Sequence, residues 1–411
     1  MSLPSVEIDI GRLSGELERL ARFSDAEPPA VTRVLFTEAD RQARAFLKGR
    51  FAEAGLALRE DAVGNLFARW GGTEPALPAV GTGSHTDALP FAGRYDGTVG
   101  VLGGLEAIRA LQASGCRPRR SIELLMFTSE EPTRFGIGCL GSRLLSGTLP
   151  PEQAAALTDA DGRTLEQVRR QAGCGGELAE MRLPADYYAA FVELHIEQGP
   201  LLEREGIPIG AVTAIAAPAA LRVSLEGPGG HAGAVLMPER RDVLCGAAEV
   251  VLAVETAAQR SGSPDAVATT GVCRVHPGAI NSIPSRVVLE IDVRDIDPLP
   301  RDRMLTQICQ AIDQAASRRG LKVEVRLLNA DPPARTGAAV LEAIQSSCRD
   351  LGLACKLLVS RAYHDALFMA RLCPVGMIFI PCRGGVSHRP DEYSSPEAIA
   401  AGVRVLARLA S

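Results

Sequence analysis

Residues 121–131 read Ser121-Ile122-Glu123-Leu124-Leu125-Met126-Phe127-Thr128-Ser129-Glu130-Glu131, a mostly apolar run that ends on two carboxylates. A short apolar run of this kind predicts a strand buried in a sheet. Charged residues at its carboxyl end fall where open α/β sheets place their ligands. The same arrangement recurs on both sides. A strand over 79–83 leads into Ser84-His85-Thr86-Asp87, and one over 190–196 carries Glu193-Leu194-His195-Ile196-Glu197-Gln198-Gly199. Helical patterns over 37–54, with a Thr start signal, and over 97–113 alternate with these strands and with a short one at 65–70. The reading is α/β, with a mixed sheet between helices.

The pattern changes after about residue 210. Strand 221–227, helix 238–259, strands 268–275 and 286–293, helix 300–319 and strand 323–328 come in the order β-α-β-β-α-β. That order suits a small α+β two-layer sandwich. From 329 the α/β alternation resumes, with helix 337–351, strand 354–359, helix 365–371, strand 376–380 and helix 396–409. A discontinuous catalytic domain, 1–211 and 329–411, with an inserted lid at 212–328, is expected.

Bulk properties exclude several classes of function. The 411 residues carry a net charge of −5, so there is no basic footprint for nucleic acid. No apolar run approaches the ~20 residues of a membrane span. Residues 1–18 are acidic and amphipathic, unlike a secretion signal. The ten cysteines are scattered, with no Cys-x-x-Cys pair. They read as reduced thiols of a cytoplasmic protein.

The chain has six histidines, and three of them stand in acid-rich motifs. Two more such motifs are Tyr95-Asp96-Gly97 and Ser387-His388-Arg389-Pro390. Two divalent ions bridged by one carboxylate need further carboxylate or imidazole ligands, plus one unligated base. Asp96 is the expected bridge, and Asp87 is placed to orient the His85 ring through its other N–H. Consecutive residues project differently, so one of Glu130 and Glu131 can bind metal while the other takes a proton from water. Mixed N and O ligands suit zinc, with manganese as the competitor. A lone His-x-Asp or Glu-Glu is commonplace on surfaces; the full set at strand ends is not.

The set resembles the hydantoinase/carbamoylase amidases, a branch of the dinuclear-zinc aminopeptidase-like (peptidase family M20) superfamily. The branch includes N-carbamoyl-L-amino-acid, allantoate and ureidoglycolate amidohydrolases. The likeness runs from Phe36-Thr37 to the C-terminal helix. It rests on the short His85–Asp96 interval and on His195, where the peptidases of the superfamily have an acid.

The resemblance implies that His85, Asp96 and His195 hold one metal and that Asp96, Glu131 and His388 hold the other. It makes Glu130 the general base and implies a cis peptide after Asp96. It also matches His231, in Gly229-Gly230-His231-Ala232-Gly233, to a lid histidine that stabilises the oxyanion, typically across a homodimer interface. Asn281 and Arg294 match residues that hold a substrate carboxylate, and Gln198 one that contacts a ureido group. His364 is left between a substrate-binding and a supporting role, and Arg134 between contacting substrate and orienting a carboxylate. His276 reads as structural.

The implied activity is hydrolysis of a linear ureido or carbamoyl C–N bond in a small carboxylate-bearing substrate. Residues 130–135 and 361–365 lean toward ureidoglycolate, with N-carbamoyl-L-amino acids and allantoate open. An aminoacylase or dipeptidase on the same metals is the alternative, and His195 argues against it. A scaffold protein without activity would be expected to have lost a ligand or Glu130.

Overall fold

The computed structural model describes residues 6–410. Residues 1–5 of the N-terminal stretch lie outside them; the first helix is Ile10–Ala21, capped by the Asp9 side chain. The chain divides into two compact units. One takes the residues up to Thr213, then Arg335–Ser360 and those from His364 on; the other takes Ala214–Ala334 with Arg361–Tyr363.

The first unit is built on a mixed sheet whose central four strands are parallel. In order across the sheet these are Val375–Ile380, Tyr188–Ile196, Ala79–His85 and Ile122–Phe127. Ile122–Phe127 and Val375–Ile380 are buried along their whole length, which is why they read as unbroken apolar runs. Antiparallel Leu66–Trp70 and Ala57–Glu60 extend one side, and Ile209–Ile215 pairs antiparallel on the other. Register aligns the carboxyl ends: His85 lies opposite Phe127, and His195 opposite Phe379. The motifs at His85, Glu130–Glu131 and His195 therefore issue from one edge of the sheet, while Asp96 follows Ala88–Ala92 of a separate two-stranded sheet.

Helices Thr98–Ala113 and Pro396–Ala410 cover this sheet with a continuous apolar core. Thr98–Ala113 lies unusually close. A Cβ at Gly100 would stand 2.4 Å from the Leu194 carbonyl oxygen, so only glycine lets this helix reach the His195 strand.

The second unit is a four-stranded antiparallel sheet in the order Val267–His276, Arg286–Asp295, Ala217–Glu226, Lys322–Ala330. Burial alternates strictly along Arg286–Asp295, and helices Val243–Gln259 and Pro298–Arg319 cover the buried face. The first of these helices begins later than the sequence pattern indicates. Pro238 lies in a 3-10 turn, Met237–Glu239, and the Asp242 carboxylate caps the helix by accepting the Leu244 and Cys245 N–H groups. Among the described residues no helix is long and apolar enough to cross a membrane.

Alanine is better than glycine in a helix by about 1 kcal/mol. Gly100→Ala is nonetheless expected to lower the thermal unfolding midpoint by several degrees, because the added methyl meets backbone. A raised midpoint in a calorimetric scan would contradict this packing.

Candidate metal centre

Asp96 stands between two sets of potential ligands. Its Oδ1 is 3.1 Å from His195 Nε2 and 3.5 Å from His85 Nε2. Its Oδ2 is 3.4 Å from His388 Nε2, which is also 3.4 Å from Glu131 Oε1. Within each set, His85/Asp96/His195 and Asp96/Glu131/His388, the candidate ligand atoms all lie within 4.8 Å of one another. One carboxylate thus faces both groups with a different oxygen.

The imidazoles are oriented by backbone. His85 Nδ1 is 3.1 Å from the Asp87 carbonyl oxygen and His195 Nδ1 is 2.9 Å from that of Ile196. Each contact places the proton on Nδ1 and turns Nε2 inward. The expectation that the Asp87 carboxylate would hold His85 fits the geometry less well, since its Oδ1 is 3.6 Å from Nδ1. That carboxylate instead accepts the backbone N–H groups of Glu130 (3.2 Å) and Glu131 (3.0 Å), fixing the acidic pair.

The peptide after Asp96 is trans, against expectation; the cis bonds among the described residues are Pro28–Pro29 and His276–Pro277. Gly97 turns the chain with φ +65 instead, and a Cβ there would stand 2.4 Å from His85 Nε2. Non-glycine residues with positive φ gather round the centre: Ser129, Cys139, Gln198 and His388. Such conformations persist where surrounding contacts over-determine them.

Charge is concentrated here. Burial pushes the Glu130 carboxyl up to about 7, with His85 opposing and Asp87 and Asp96 reinforcing the rise. Burial and then the neighbouring Glu130 and Asp96 hold the Glu131 carboxyl well above its usual range. Asp96 goes the other way: burial opposes ionisation, but His195, His388 and His85 keep it well below. His85, despite burial, is drawn well above 6.5 by Asp87 and Asp96. The centre is a buried cluster of carboxylates and imidazoles whose negative charge divalent cations would balance. The buried Gln198 Oε1 has no hydrogen-bond partner, although its Nε2 donates to Asp96 Oδ2 at 2.6 Å. The donor set therefore fits metal.

Three supports were not assigned roles by sequence reasoning. Glu392 Oε1 accepts the N–H groups of Tyr95 (2.7 Å) and Asp96 (3.1 Å), while its Oε2 accepts from Ser387 Oγ at 2.9 Å. It lies four residues after His388, a spacing that could have drawn notice. Glu193 stands within the His195 motif without an assigned role; it binds Ser84 Oγ at 2.7 Å and the Ala366 N–H at 2.9 Å. Cys139 carries no signal in sequence; its Sγ is 3.4 Å from Glu130 Oε1.

The remaining candidates fall elsewhere. His364 is buried, its ring centroid 4.5 Å from that of His195 and its Nε2 2.9 Å from Ser360 Oγ. Together with Glu193 and His195 it forms a third group of ligand-type spacing. Both Glu193 oxygens are taken by hydrogen bonds, so that group reads as a brace for His195. Arg134 binds Asp159 and the Leu35 carbonyl.

His231, Asn281 and Arg294 belong to the second unit. His231 pairs with Ser282 in a short ladder, and the Ala232 N–H donates to the Asn281 carbonyl, so the first two are neighbours. His231 Nδ1 accepts the Gly233 N–H at 3.1 Å, which places its proton on Nε2. Arg294 donates Nε and Nη2 to Asp292 and Nη1 to the Arg361 carbonyl.

The family model described as Peptidase family M20/M25/M40 matches residues 81–411. Ureidoglycolate hydrolase of Arabidopsis thaliana is 52% identical over 409 residues, covering 98% of this chain and 86% of that protein. The crystal structure of AtUAH in complex with glyoxylate matches with a TM-score of 0.93 at 52% identity, covering 99% of this chain and 98% of that one. An amidase of the hydantoinase/carbamoylase family from Burkholderia vietnamiensis matches with a TM-score of 0.90 at 33% identity, again over 99% and 98%.

Supports one step removed from a metal typically carry about 10–100-fold in its affinity. Glu392→Gln is expected to weaken metal binding within that range, read by competition with a chromogenic chelator. Unchanged affinity would show that the Tyr95–Asp96 backbone holds its place without Glu392.

Proposed function

The chain belongs to peptidase family M20/M25/M40, and on that footing we propose that it hydrolyses the ureido C–N bond of ureidoglycolate. It is a metal-dependent amidohydrolase acting on non-peptide C–N bonds. The observation that carries the mechanistic reading is the pairing of a doubly facing Asp96 with a second, separately held carboxylate, Glu130.

His85, Asp96 and His195 would hold one divalent ion, and Asp96, Glu131 and His388 a second. Zinc is the first choice for the mixed donors and manganese the second. When bound, the ions would polarise the substrate carbonyl and make water a stronger acid. Glu130 takes the proton from the attacking water and returns it to the departing nitrogen. Its Oε2, 3.8 Å from His85 Nε2, is the oxygen on the ligand side.

The second unit would supply the rest. His231, with its Nε2 proton, donates to the oxyanion; a positioned donor of this kind is worth about 3–4 kcal/mol. Arg294 has five N–H groups, of which three are engaged by Asp292 and Arg361. The two that remain, one on each Nη, would hold the substrate carboxylate as a fork, with Asn281 beside it. Gln198 would contact the ureido group, and His364 would orient His195. We also read the protein as a homodimer through the second unit, whose edge strand Lys322–Ala330 exposes Val325, Leu327 and Leu328. A reducing cytoplasm, in which the ten cysteines stay thiols, is part of this reading.

Two outcomes test this reading. Metal-loaded protein offered ureidoglycolate, allantoate, N-carbamoyl-L-amino acids and dipeptides should release ammonia fastest from ureidoglycolate, with dipeptide cleavage followed separately. Preference for dipeptides would overturn it. Glu130→Gln should keep its metal, by elemental analysis, while kcat falls about 10²–10⁴-fold; full activity there removes the base.

A further inference from the structure

The reading of Glu130 as base leaves open what fixes the rotation of its carboxyl group. The backbone on either side is held. The Glu130 N–H donates to Asp87 Oδ1 at 3.2 Å, and its carbonyl accepts the Cys139 N–H at 2.8 Å. Two further bonds, Leu140 N–H to Ser129 and Gly141 N–H to Thr128, both 2.9 Å, lay residues 139–141 alongside 128–130. Neither backbone bond reaches the carboxyl group, which sits at the end of a flexible side chain.

Cys139 does reach it. The residue is fully buried and takes a left-handed conformation, φ 55 and ψ 36, just before helix Leu140–Ser146. That conformation turns Sγ to within 3.4 Å of Glu130 Oε1. Ser142 Oγ stands beside this turn, 3.2 Å from the Cys139 carbonyl oxygen and 2.5 Å from buried Asp365 Oδ1. Burial, reinforced by the charges of Glu130 and Asp365, keeps the thiol well above its ordinary pKa, so it stays an S–H donor. Thiols are weak donors, but in a buried site a single bond suffices to choose between rotations of a carboxyl group.

We propose that Cys139 is a positioning residue: its S–H holds Glu130 Oε1, which leaves Oε2 turned toward the ligand nitrogen of His85. The proposal rests on Glu130 being the base. A packing role and a donor role make opposite demands. If Cys139 only fills space, Ala serves at least as well as Ser, because a buried hydroxyl without a partner costs stability. If it donates, Ser restores what Ala loses. Neither replacement relieves the left-handed backbone, so that strain is common to both.

The test has two arms. In the first, Cys139→Ala and Cys139→Ser are compared for kcat, KM, metal content and thermal midpoint. Expected is a 3–10-fold lower kcat for Cys139→Ala, with KM and metal content within twofold of the parent, and recovery of most of that loss in Cys139→Ser. Equal kcat in the two, or a better Ala variant, overturns the proposal. The second arm needs no variant at Cys139 and no turnover. The infrared S–H stretching band of metal-free parent protein is compared with that of Glu130→Gln at a pH well above the value of about 7 to which burial pushes Glu130, so that an anionic acceptor is replaced by an amide. A shift of one S–H band to higher frequency is expected, and an unchanged spectrum means there is no such bond. Full activity in Glu130→Gln would instead remove the base reading, a failure separable from the first because the S–H band would still move.

Discussion

The structure turns on a buried carboxylate, Asp96, that faces His85 and His195 with one oxygen and His388 with the other. Burying Asp96, Glu130 and Glu131 together is costly unless positive charge arrives with them. The three imidazoles meet part of that demand, and burial with the neighbouring carboxylates still pushes Glu130 and Glu131 up. Metal dependence is thus a consequence of the way the sheet edge collects acids, as well as a property of the family.

Holding such a cluster requires fixed backbone, and the chain provides it with few residues. Asp87 clamps the Glu130 and Glu131 N–H groups; Glu392 clamps those of Tyr95 and Asp96. Carbonyl oxygens of Asp87 and Ile196 set the histidine rings. Positive-φ residues at Ser129, Cys139, Gln198 and His388 mark where local preference yields to the site. Close approach at Gly100 draws helix Thr98–Ala113 down on the His195 strand.

Much of this is readable in the sequence, because it rests on local pattern. The buried strands Ile122–Phe127 and Val375–Ile380 read as apolar runs, and the β-α-β-β-α-β order of the second unit comes from the same periodicities. The helix start at Val243 escapes the sequence because Pro238 and the Asp242 cap are both acceptable beginnings, and only the observed hydrogen bonds decide between them. The turn at Asp96 is not the expected cis peptide, since Gly97 makes it by positive φ. Cys139 and Glu392 are missed for different reasons: Cys139 meets Glu130 within one loop, where only its left-handed backbone brings the thiol to the carboxyl group, whereas Glu392 acts on Tyr95 and Asp96, far off in the sequence. Arg361–Tyr363 behaves similarly. It falls within the C-terminal part of the chain but packs with the second unit through Arg294, Asp265, Asn329 and Asp331.

Whether Asp96 is shared by two metals can be seen by anomalous diffraction from crystals of the protein loaded with zinc or manganese, recorded at the edge of the metal. Two peaks flanking Asp96 are expected, one against His85 and His195 and the other against Glu131 and His388. A single peak, or one seated among Glu193, His195 and His364, would contradict that sharing.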